Sequence, residues 1–182
     1  MVTSQDEMTE AMQEVTHLNT PDNAVVRHLQ REVANALVLY VNYKHYHWQV
    51  AGPLFRDLHL MFDEFAKEVE ESLDEFAERL RMIGQDPMLP LDRISKAAVV
   101  TSARIHGDVR LMMEEADRNA ILVIDGLRQA ARAADDENDP GSVDLFSKVV
   151  RAHEKHEWYF RELLKRSDGL VGAAPSMPAS RR

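Results

Sequence analysis

The sequence predicts an all-α protein, an antiparallel four-helix bundle with a short extra helix in the middle connection. Three observations favour this class: apolar residues recur at spacings of three and four along four long segments, no segment alternates like a strand, and proline or glycine separates the segments. The 182 residues, 45% of them hydrophobic, are enough to bury one sizeable core. We therefore expect one domain over residues 20–167, between a flexible N-terminal arm (1–19) and a flexible C-terminal tail (168–182).

The first helix is predicted to run from Thr20-Pro21, an N-cap followed by proline at the first helical position, to about Val50. Gly52-Pro53 then breaks the helical pattern. The stripe along this helix consists of Leu29, Val33, Leu37, Tyr40 and, at its polar end, Lys44.

The second helix is predicted from about Phe55 to Ile83, and Gly84 supplies a C-terminal stop. This helix is long, uninterrupted and amphipathic. Its apolar positions are Leu58, Phe62, Phe65, Val69, Leu73, Phe76 and Leu80.

Pro87 and Pro90 mark an irregular connection, in which residues 91–98 are predicted to form the extra helix. A third helix is predicted to begin near Thr101 and to continue to about Ala134, because its apolar spacing is the most regular in the chain. The positions that carry this spacing are Ile105, Val109, Met112, Ala116, Ala120, Val123, Leu127 and Ala130.

An acidic turn over residues 135–141 precedes the fourth helix, which Asp139 or Ser142 can cap. This helix is predicted to end near Lys165.

The composition excludes several kinds of site. The absence of cysteine rules out disulfides, iron–sulfur clusters and thiolate zinc sites, and leaves His, Asp and Glu as the strong metal ligands. The net charge of −9 disfavours a surface for nucleic-acid phosphates and favours one that attracts cations. No apolar run approaches the roughly 20 residues of a membrane span, and the acidic start does not resemble a secretory signal, so we expect a soluble cytoplasmic protein.

Four potential metal ligands share one face of the second helix. His59, Asp63, Asp74 and Glu78 lie at about 0°, 40°, 60° and 100° on the helical wheel. Asp63 and Asp74 are about 16 Å apart along the axis, so one helix cannot bring all four to one ion. If two copies of this helix cross antiparallel near Val69, His59 and Asp63 of one chain face Asp74 and Glu78 of the other, which gives two identical shared sites.

Imidazole combined with carboxylates binds iron and leaves positions open for water, peroxide or dioxygen. The same ligands also suit zinc or another divalent ion. The first helix offers a further histidine, but His45 and His47 point about 200° apart and cannot both face one ion. The alternative is that all these residues form an ordinary solvated helix surface.

The run from His47 to Gly84 closely resembles the signature of the Dps family, the starvation-induced mini-ferritins of the ferritin-like superfamily. The residues that carry the resemblance are His47-Trp48, Gly52, Phe55, Leu58-His59, Phe62-Asp63, Asp74-Glu75, Ala77-Glu78-Arg79 and Gly84.

The resemblance implies a hollow homo-dodecamer with two ferroxidase centres at each two-fold interface. By position, His47, His59 and Asp63 would come from one subunit, and Asp74 and Glu78 from its neighbour. In this family ferrous ion is oxidised, typically with hydrogen peroxide rather than oxygen, and the ferric product is stored as a mineral, which protects the cell from oxidative damage. Trp48 matches an aromatic residue that intercepts oxidising equivalents, with plain packing as the alternative.

Two further groups of acidic and histidine residues have both a functional and an ordinary structural interpretation. By resemblance, Asp135 and Asp144 fall where aspartates line a three-fold pore, whereas Pro140 replaces an expected acid with Asp139 adjacent; a solvated loop is the alternative. On the fourth helix, the cluster of His153, Glu154, His156 and Glu157 suggests an accessory metal site, a buried polar network or surface residues.

Other functions have less support in the sequence. Some Dps proteins compact DNA through lysine-rich arms, but here residues 1–19 contain no lysine and the tail offers only Arg181 and Arg182, so DNA binding and nucleoid association are doubtful. A conventional ferritin or bacterioferritin would use Glu-x-x-His motifs within one bundle, and the spacing occurs only at Glu14 and His17. A non-enzymatic scaffold or nucleoid-binding oligomer is the remaining alternative.

Overall fold

The computed structural model describes residues 22–87, 90–104 and 107–165, and within them the chain forms five helices and no strand. Both the predicted arm and the predicted tail lie outside the described residues. The five elements are α1 (Ala24–Gln49), α2 (Phe55–Met82), α3 (Leu91–Ala97), α4 (Val109–Asp136) and α5 (Pro140–Leu164).

The four long helices form an antiparallel bundle with one long crossover. Helix α1 packs against α2 and α4, helix α5 packs against the same two, and α3 lies on α1. The short turns 50–54 and 137–139 join antiparallel neighbours, whereas the connection from α2 to α4 runs the length of the bundle. The predicted bundle with a short extra helix is confirmed, and its single crossover is the one found in ferritin-like folds.

The bundle core is rich in aromatic side chains. Tyr43 and Tyr46 on α1 are fully buried, although the predicted stripe placed Leu37 and Tyr40 toward the core and both are only partly buried. Helix α1 contacts three other helices, so its buried face is wider than a single stripe. The other large side chains at the centre are Phe62, Phe65, Phe146, Phe160, Leu29, Leu39, Leu80, Met112, Leu127 and His156.

The ends of α1 and α2 follow ordinary capping rules. The Asn23 side chain accepts from the Val25 N–H at 2.8 Å, so α1 starts three residues after the predicted Pro21, which lies outside the described residues. At the end of α2, Gly84 has φ +83°, the left-handed conformation in which glycine is favoured. The Gln85 N–H bonds the Leu80 carbonyl at 2.8 Å and the Gly84 N–H bonds the Arg81 carbonyl, which is a Schellman motif.

The third long helix begins at Val109 rather than at the predicted Thr101. Side chains from α1 and α4 take the backbone donors that a helix would need over residues 99–104. Asn35 accepts from Val99, Asn119 from Thr101, Asn42 from Ala103 and Glu115 from Arg104, at 2.7–3.1 Å. The apolar spacing continues before Val109, but these buried acceptors hold the segment extended.

Asp139, rather than Ser142, caps α5: its carboxylate accepts from the Ser142 N–H at 3.1 Å, and Pro140 occupies the first helical position. None of the helices in the described ranges is long and apolar enough to cross a membrane.

Replacing Asn42 should destabilise the crossover. In Asn42→Leu the Ala103 N–H loses the acceptor that was held at 2.7 Å, and a donor left without a partner costs about 1–3 kcal/mol. The Thr101 carbonyl loses the Asn42 amide at 2.8 Å but keeps the Asn119 amide at 3.0 Å. We expect urea denaturation at fixed protein concentration to show a lower free energy of unfolding. The exposed control Arg132→Ala should change it by less than about 0.5 kcal/mol; equal losses in both variants would contradict the assignment.

Candidate metal centre

The end of α1 and the first turn of α2 bring two histidines face to face. Residues 50–54 form a tight turn in which Gly52 has φ +91° and its carbonyl accepts from the Phe55 N–H at 3.0 Å. As a result the His47 and His59 rings stack with centroids 3.6 Å apart and an interplanar angle of 22°. Phe55 lies against His59, with centroids 5.1 Å apart.

The two histidines are held by a reciprocal pair of hydrogen bonds. His47 Nδ1 lies 2.7 Å from the His59 carbonyl oxygen, and His59 Nδ1 lies 2.8 Å from the His47 carbonyl oxygen. A carbonyl oxygen only accepts, so each Nδ1 carries the proton and donates it. Each Nε2 is therefore the nitrogen that can bind a metal ion, and the tautomer and ring orientation are fixed in advance, as is usual for metal-binding histidines.

Asp63, one turn further along α2, is ionised and paired with two lysines. Its carboxylate lies 2.7 Å from Lys44 Nζ on α1 and 2.9 Å from Lys67 Nζ on α2. Hydrogen bonds from Lys44 and then Lys67 hold the pKa of Asp63 well below its usual range. A metal ion that takes this carboxylate must therefore displace ammonium groups.

Asp74 and Glu78 lie further along the same helix, and both are exposed. Asp74 lines an open groove of about 570 Å³ with Lys67, Glu70, Glu71, Leu73 and Ala77. The structure thus brings His47 to His59 and leaves Asp74 and Glu78 on the outer surface of α2. In the described part of the chain, no three His, Asp or Glu side chains stand together as a complete metal site.

Sequence reasoning missed the two lysines beside Asp63. Lys67 follows Asp63 by four residues, the spacing of a helical ion pair, so it could have been found from the sequence. Lys44 reaches Asp63 only because α1 packs on α2, and its position in the predicted stripe gave no sign of a partner. The neighbouring Trp48 is 67% exposed, so its indole is not packed within this chain. His45 faces elsewhere, into a cavity between α1 and α3.

The acidic turn between α4 and α5 is ordered and forms an open pocket of about 270 Å³. Asp135 and Asp144 both line it and are exposed, together with Pro140. Asp139 turns inward instead: it is 3% exposed, and its carboxylate lies 2.5 Å from Arg79. Asp139 also lines the pocket, but it serves the helix cap and the link to α2, whereas Asp135 and Asp144 are exposed there.

The predicted accessory cluster does not gather into one site. Glu154 pairs with Arg128, and Glu157 pairs with Arg161. His153 and His156 are buried, and their ring centroids are 5.2 Å apart. His156 Nε2 lies 2.9 Å from Glu68, and its ring stacks on Phe65 at 3.8 Å, so the two histidines belong to a polar network in the core.

The centre of the bundle is aromatic. Tyr43, Phe62, Phe65 and Phe160 contact one another there, with centroid separations of 5.7–6.2 Å. A conventional ferritin builds its intrasubunit carboxylate centre in the bundle core, from side chains on facing helices. The Glu14 and His17 spacing lies outside the described residues.

Comparison with known proteins gives a consistent result. A ferritin-like domain matches residues 26–169. The chain is 32% identical over 166 residues to DNA protection during starvation protein 1 of Deinococcus radiodurans, covering 83% of this chain and 80% of that protein. It is 42% identical to the Dps of Thermosynechococcus elongatus, with a TM-score of 0.80 over 87% of this chain and 99% of that structure.

A third match describes its superfamily. The Dps of Vibrio cholerae is 27% identical, with a TM-score of 0.71 over 86% of this chain and 92% of that structure. It is described as a member of a broad superfamily of ferritin-like diiron-carboxylate proteins.

The buried histidines predict a loss of stability in mild acid. Burial, and then the nearby His156, lower the pKa of His153 from 6.5 to about 3. Between these values the unfolded chain binds the proton and the folded chain does not, so the free energy of unfolding falls as the pH decreases below about 6.5.

His153→Leu removes this proton linkage and should flatten the dependence. We expect denaturation curves at pH 8 and pH 5 to show a smaller difference for this variant than for the unsubstituted protein. A difference that is equal in both proteins would rule out His153 as the source.

Proposed function

The chain belongs to the Dps family of ferritin-like proteins, and from that membership we propose that it oxidises ferrous ion and stores the ferric product inside a hollow homo-dodecamer. The oxidant is hydrogen peroxide by preference and oxygen otherwise. Removing ferrous ion together with peroxide protects DNA and other cell components from oxidative damage, which agrees with the names of the relatives.

The observation that carries the proposal is the His47–His59 pair. Two histidines from different helices, each with its Nδ1 bonded to the other's carbonyl, present two Nε2 atoms, and an ionised Asp63 lies one helical turn beyond His59 on α2. Packing alone does not require fixed imidazole tautomers at a half-exposed surface. Metal binding does, because Nε2 must be free of its proton and correctly oriented. Imidazole with carboxylate is a ligand set that accepts iron, and zinc or another divalent ion would compete for it.

A second copy of the chain would complete each site. Asp74 and Glu78 share the face of α2 with His59, but about 16 Å of helix separates Asp74 from Asp63, and Glu78 lies one turn further away. Both are exposed, and Asp74 lines a groove alongside Lys67, which leaves the two carboxylates available to a neighbour. Two α2 helices that cross antiparallel near Val69 would place them opposite the histidine pair, so each interface holds two sites.

The reaction consumes two ferrous ions and one peroxide, which become two ferric ions and two hydroxide ions. Holding both ferrous ions at one site lets the two electrons leave together, so no hydroxyl radical is released. His47, His59 and Asp63 bind and orient the ions, and Asp74 and Glu78 of the neighbour neutralise their charge. Trp48, exposed beside His47, is placed to intercept stray oxidising equivalents.

The acidic pocket of the turn between α4 and α5 supports a route for cations into the cage. Asp135 and Asp144 face the same opening, and a symmetric ring of such carboxylates would concentrate ferrous ion electrostatically.

We propose a cytoplasmic location, where ferrous ion and peroxide meet. Because the net charge is −9, we propose that DNA is protected by this chemistry and not by binding, and a gel shift should show weak or no retention at physiological salt.

Rapid-mixing measurements of ferrous oxidation with peroxide test this function. His47→Ala, His59→Ala and Asp63→Asn should each slow the reaction by about tenfold to a hundredfold, because each removes a ligand. His45→Ala is the matched control, since this histidine lies two residues from His47 but faces the cavity between α1 and α3. Size exclusion should give a mass near twelve subunits with retained ferric mineral.

A non-enzymatic scaffold or nucleoid-binding oligomer predicts a different result. It would assemble without accelerating ferrous loss, and substitution of His59 would change nothing. A monomer that oxidises ferrous ion at full rate would contradict the proposal that two subunits share each site.

Neutralising Lys44 should tighten metal binding. The Lys44 ammonium is paired with the Asp63 carboxylate at 2.7 Å. A metal dication bound about 5 Å from this positive charge would be repelled by about 1.7 kcal/mol even in water. This repulsion corresponds to roughly a tenfold loss of affinity. Calorimetric titration with Co²⁺ without oxidant should therefore give a lower Kd for Lys44→Gln. The exposed Lys96→Gln on α3 controls for net charge; weaker binding by Lys44→Gln would show that the lysine positions Asp63 instead of competing for it.

A further inference from the structure

A charged strip of α2 lies between the two halves of the proposed shared site. This strip is the open groove of about 570 Å³ described above, and the described residues that line it all belong to α2. Lys67 is the basic side chain among them, whereas Glu70, Glu71 and Asp74 are acidic. Because its lining comes from one helix, the strip is open to a second copy of the chain.

The two-fold symmetry of the proposed interface determines which residues of two such strips meet. The pairing of position 59 with 78 and the pairing of 63 with 74 both place the axis midway between residues 68 and 69. Position 67 of one helix is then level with position 70 of the other. Lys67 therefore lies opposite Glu70 of the partner subunit at the centre of the interface, and symmetry repeats this contact once.

Both residues also point toward the partner. Counted from His59, Lys67 and Glu70 lie at about 80° and 20° on the helical wheel, within the arc of about 100° that the candidate ligands occupy. The axes of packed helices are about 8–10 Å apart, a distance that a lysine and a glutamate side chain can bridge together. An ion pair between the two subunits is therefore within reach.

Within one chain, Lys67 is paired with the candidate ligand Asp63 instead. Its Nζ lies 2.9 Å from the carboxylate, but the lysine side chain is 68% exposed. Lys44 holds the same carboxylate at 2.7 Å and is only 22% exposed. Exposed ion pairs between residues four apart on a helix are among the weakest in proteins, so Lys67 is the lysine that can leave Asp63 at little cost.

Formation of the interface would favour this departure. Glu70 is exposed, and within the described part of the chain it has no ion-pair partner. Burying a carboxylate without a partner is far more costly than breaking an exposed ion pair. Asp63 keeps Lys44, so the movement of Lys67 leaves both carboxylates paired.

We propose that assembly transfers the ammonium group of Lys67 from Asp63 to Glu70 of the partner subunit and thereby opens each metal site. This lysine exchange rests on the proposed function and describes its regulation. The contact that supplies Asp74 and Glu78 also removes one of the two cations that compete with metal for Asp63. Ferrous ion is then bound well only after assembly, where the ferric product can be stored.

Calorimetric titration of the assembled full chain with Co²⁺ at about 0.15 M salt, without oxidant, tests the exchange. In the single chain both lysines contact Asp63, but in the assembly only Lys44 remains there. Lys44→Gln should therefore lower the Kd about tenfold. Lys67→Gln should lower it by about twofold or less, because its ammonium already lies on Glu70 and salt screens charges beyond about 8 Å.

Substitution of Glu70 should have the opposite effect. In Glu70→Gln the ammonium of Lys67 has no carboxylate to receive it and returns to Asp63, so the Kd should rise severalfold. The matched control is the same substitution in the Lys67→Gln background, where the Kd should equal that of Lys67→Gln alone. Size exclusion checks that each variant is assembled. If Glu70→Gln did not assemble, the comparison of Lys67→Gln with Lys44→Gln would decide the question.

The outcomes separate the exchange from the proposed function. Equal tightening by Lys67→Gln and Lys44→Gln, an unchanged Kd in Glu70→Gln, or a Glu70→Gln effect that persists without Lys67 would each overturn the exchange and leave the ferroxidase intact. A crystal structure of the assembly with Lys67 Nζ still on Asp63 would overturn it as well. An unsubstituted assembly that neither binds Co²⁺ nor oxidises ferrous ion would refute the function, and the exchange with it.

Discussion

The reciprocal hydrogen bonds between His47 and His59 are the interaction on which the candidate centre depends. They join the last turn of α1 to the N-terminal part of α2 through the His47 carbonyl, which the end of α1 leaves free, and the His59 carbonyl, which lies within α2. The same two bonds therefore close the helix pair and fix both imidazole tautomers. Structural and metal-binding requirements coincide there, so a change at either histidine alters the fold of the turn as well as the ligand set.

Polar side chains inside the bundle have separate structural tasks. Asn35, Asn42 and Asn119 hold the long crossover by taking the backbone groups of residues 99–103, and Glu115 holds Arg104 while it accepts from Tyr46. The crossover carries the chain along the whole bundle, and parallel placement of α2 and α4 requires it. These residues keep the crossover and α4 in register with α1.

Much of the fold was predictable because its signals are local. The spacing on α2, the stop at Gly84 and the common face of His59, Asp63, Asp74 and Glu78 all follow from 3.6 residues per turn. The start of α4 was predicted wrongly, because the apolar pattern extends before Val109 while distant asparagines hold that segment extended. The sequence also left open whether the accessory cluster on α5 forms a metal site, a buried network or a surface. Packing decides this, because it buries His153 and His156 and turns the two glutamates outward to pair with arginines.

Local sequence patterns predicted the long helices, the family resemblance and the face of α2 that carries the candidate ligands, since each depends on residues close together in the chain. Helix packing brings His47 onto His59, Lys44 to Asp63, and Tyr46 to Glu115, 69 positions away, and none of these contacts was predictable from the sequence. A helical period specifies which face a side chain occupies, whereas the partner of that side chain depends on how separate helices pack.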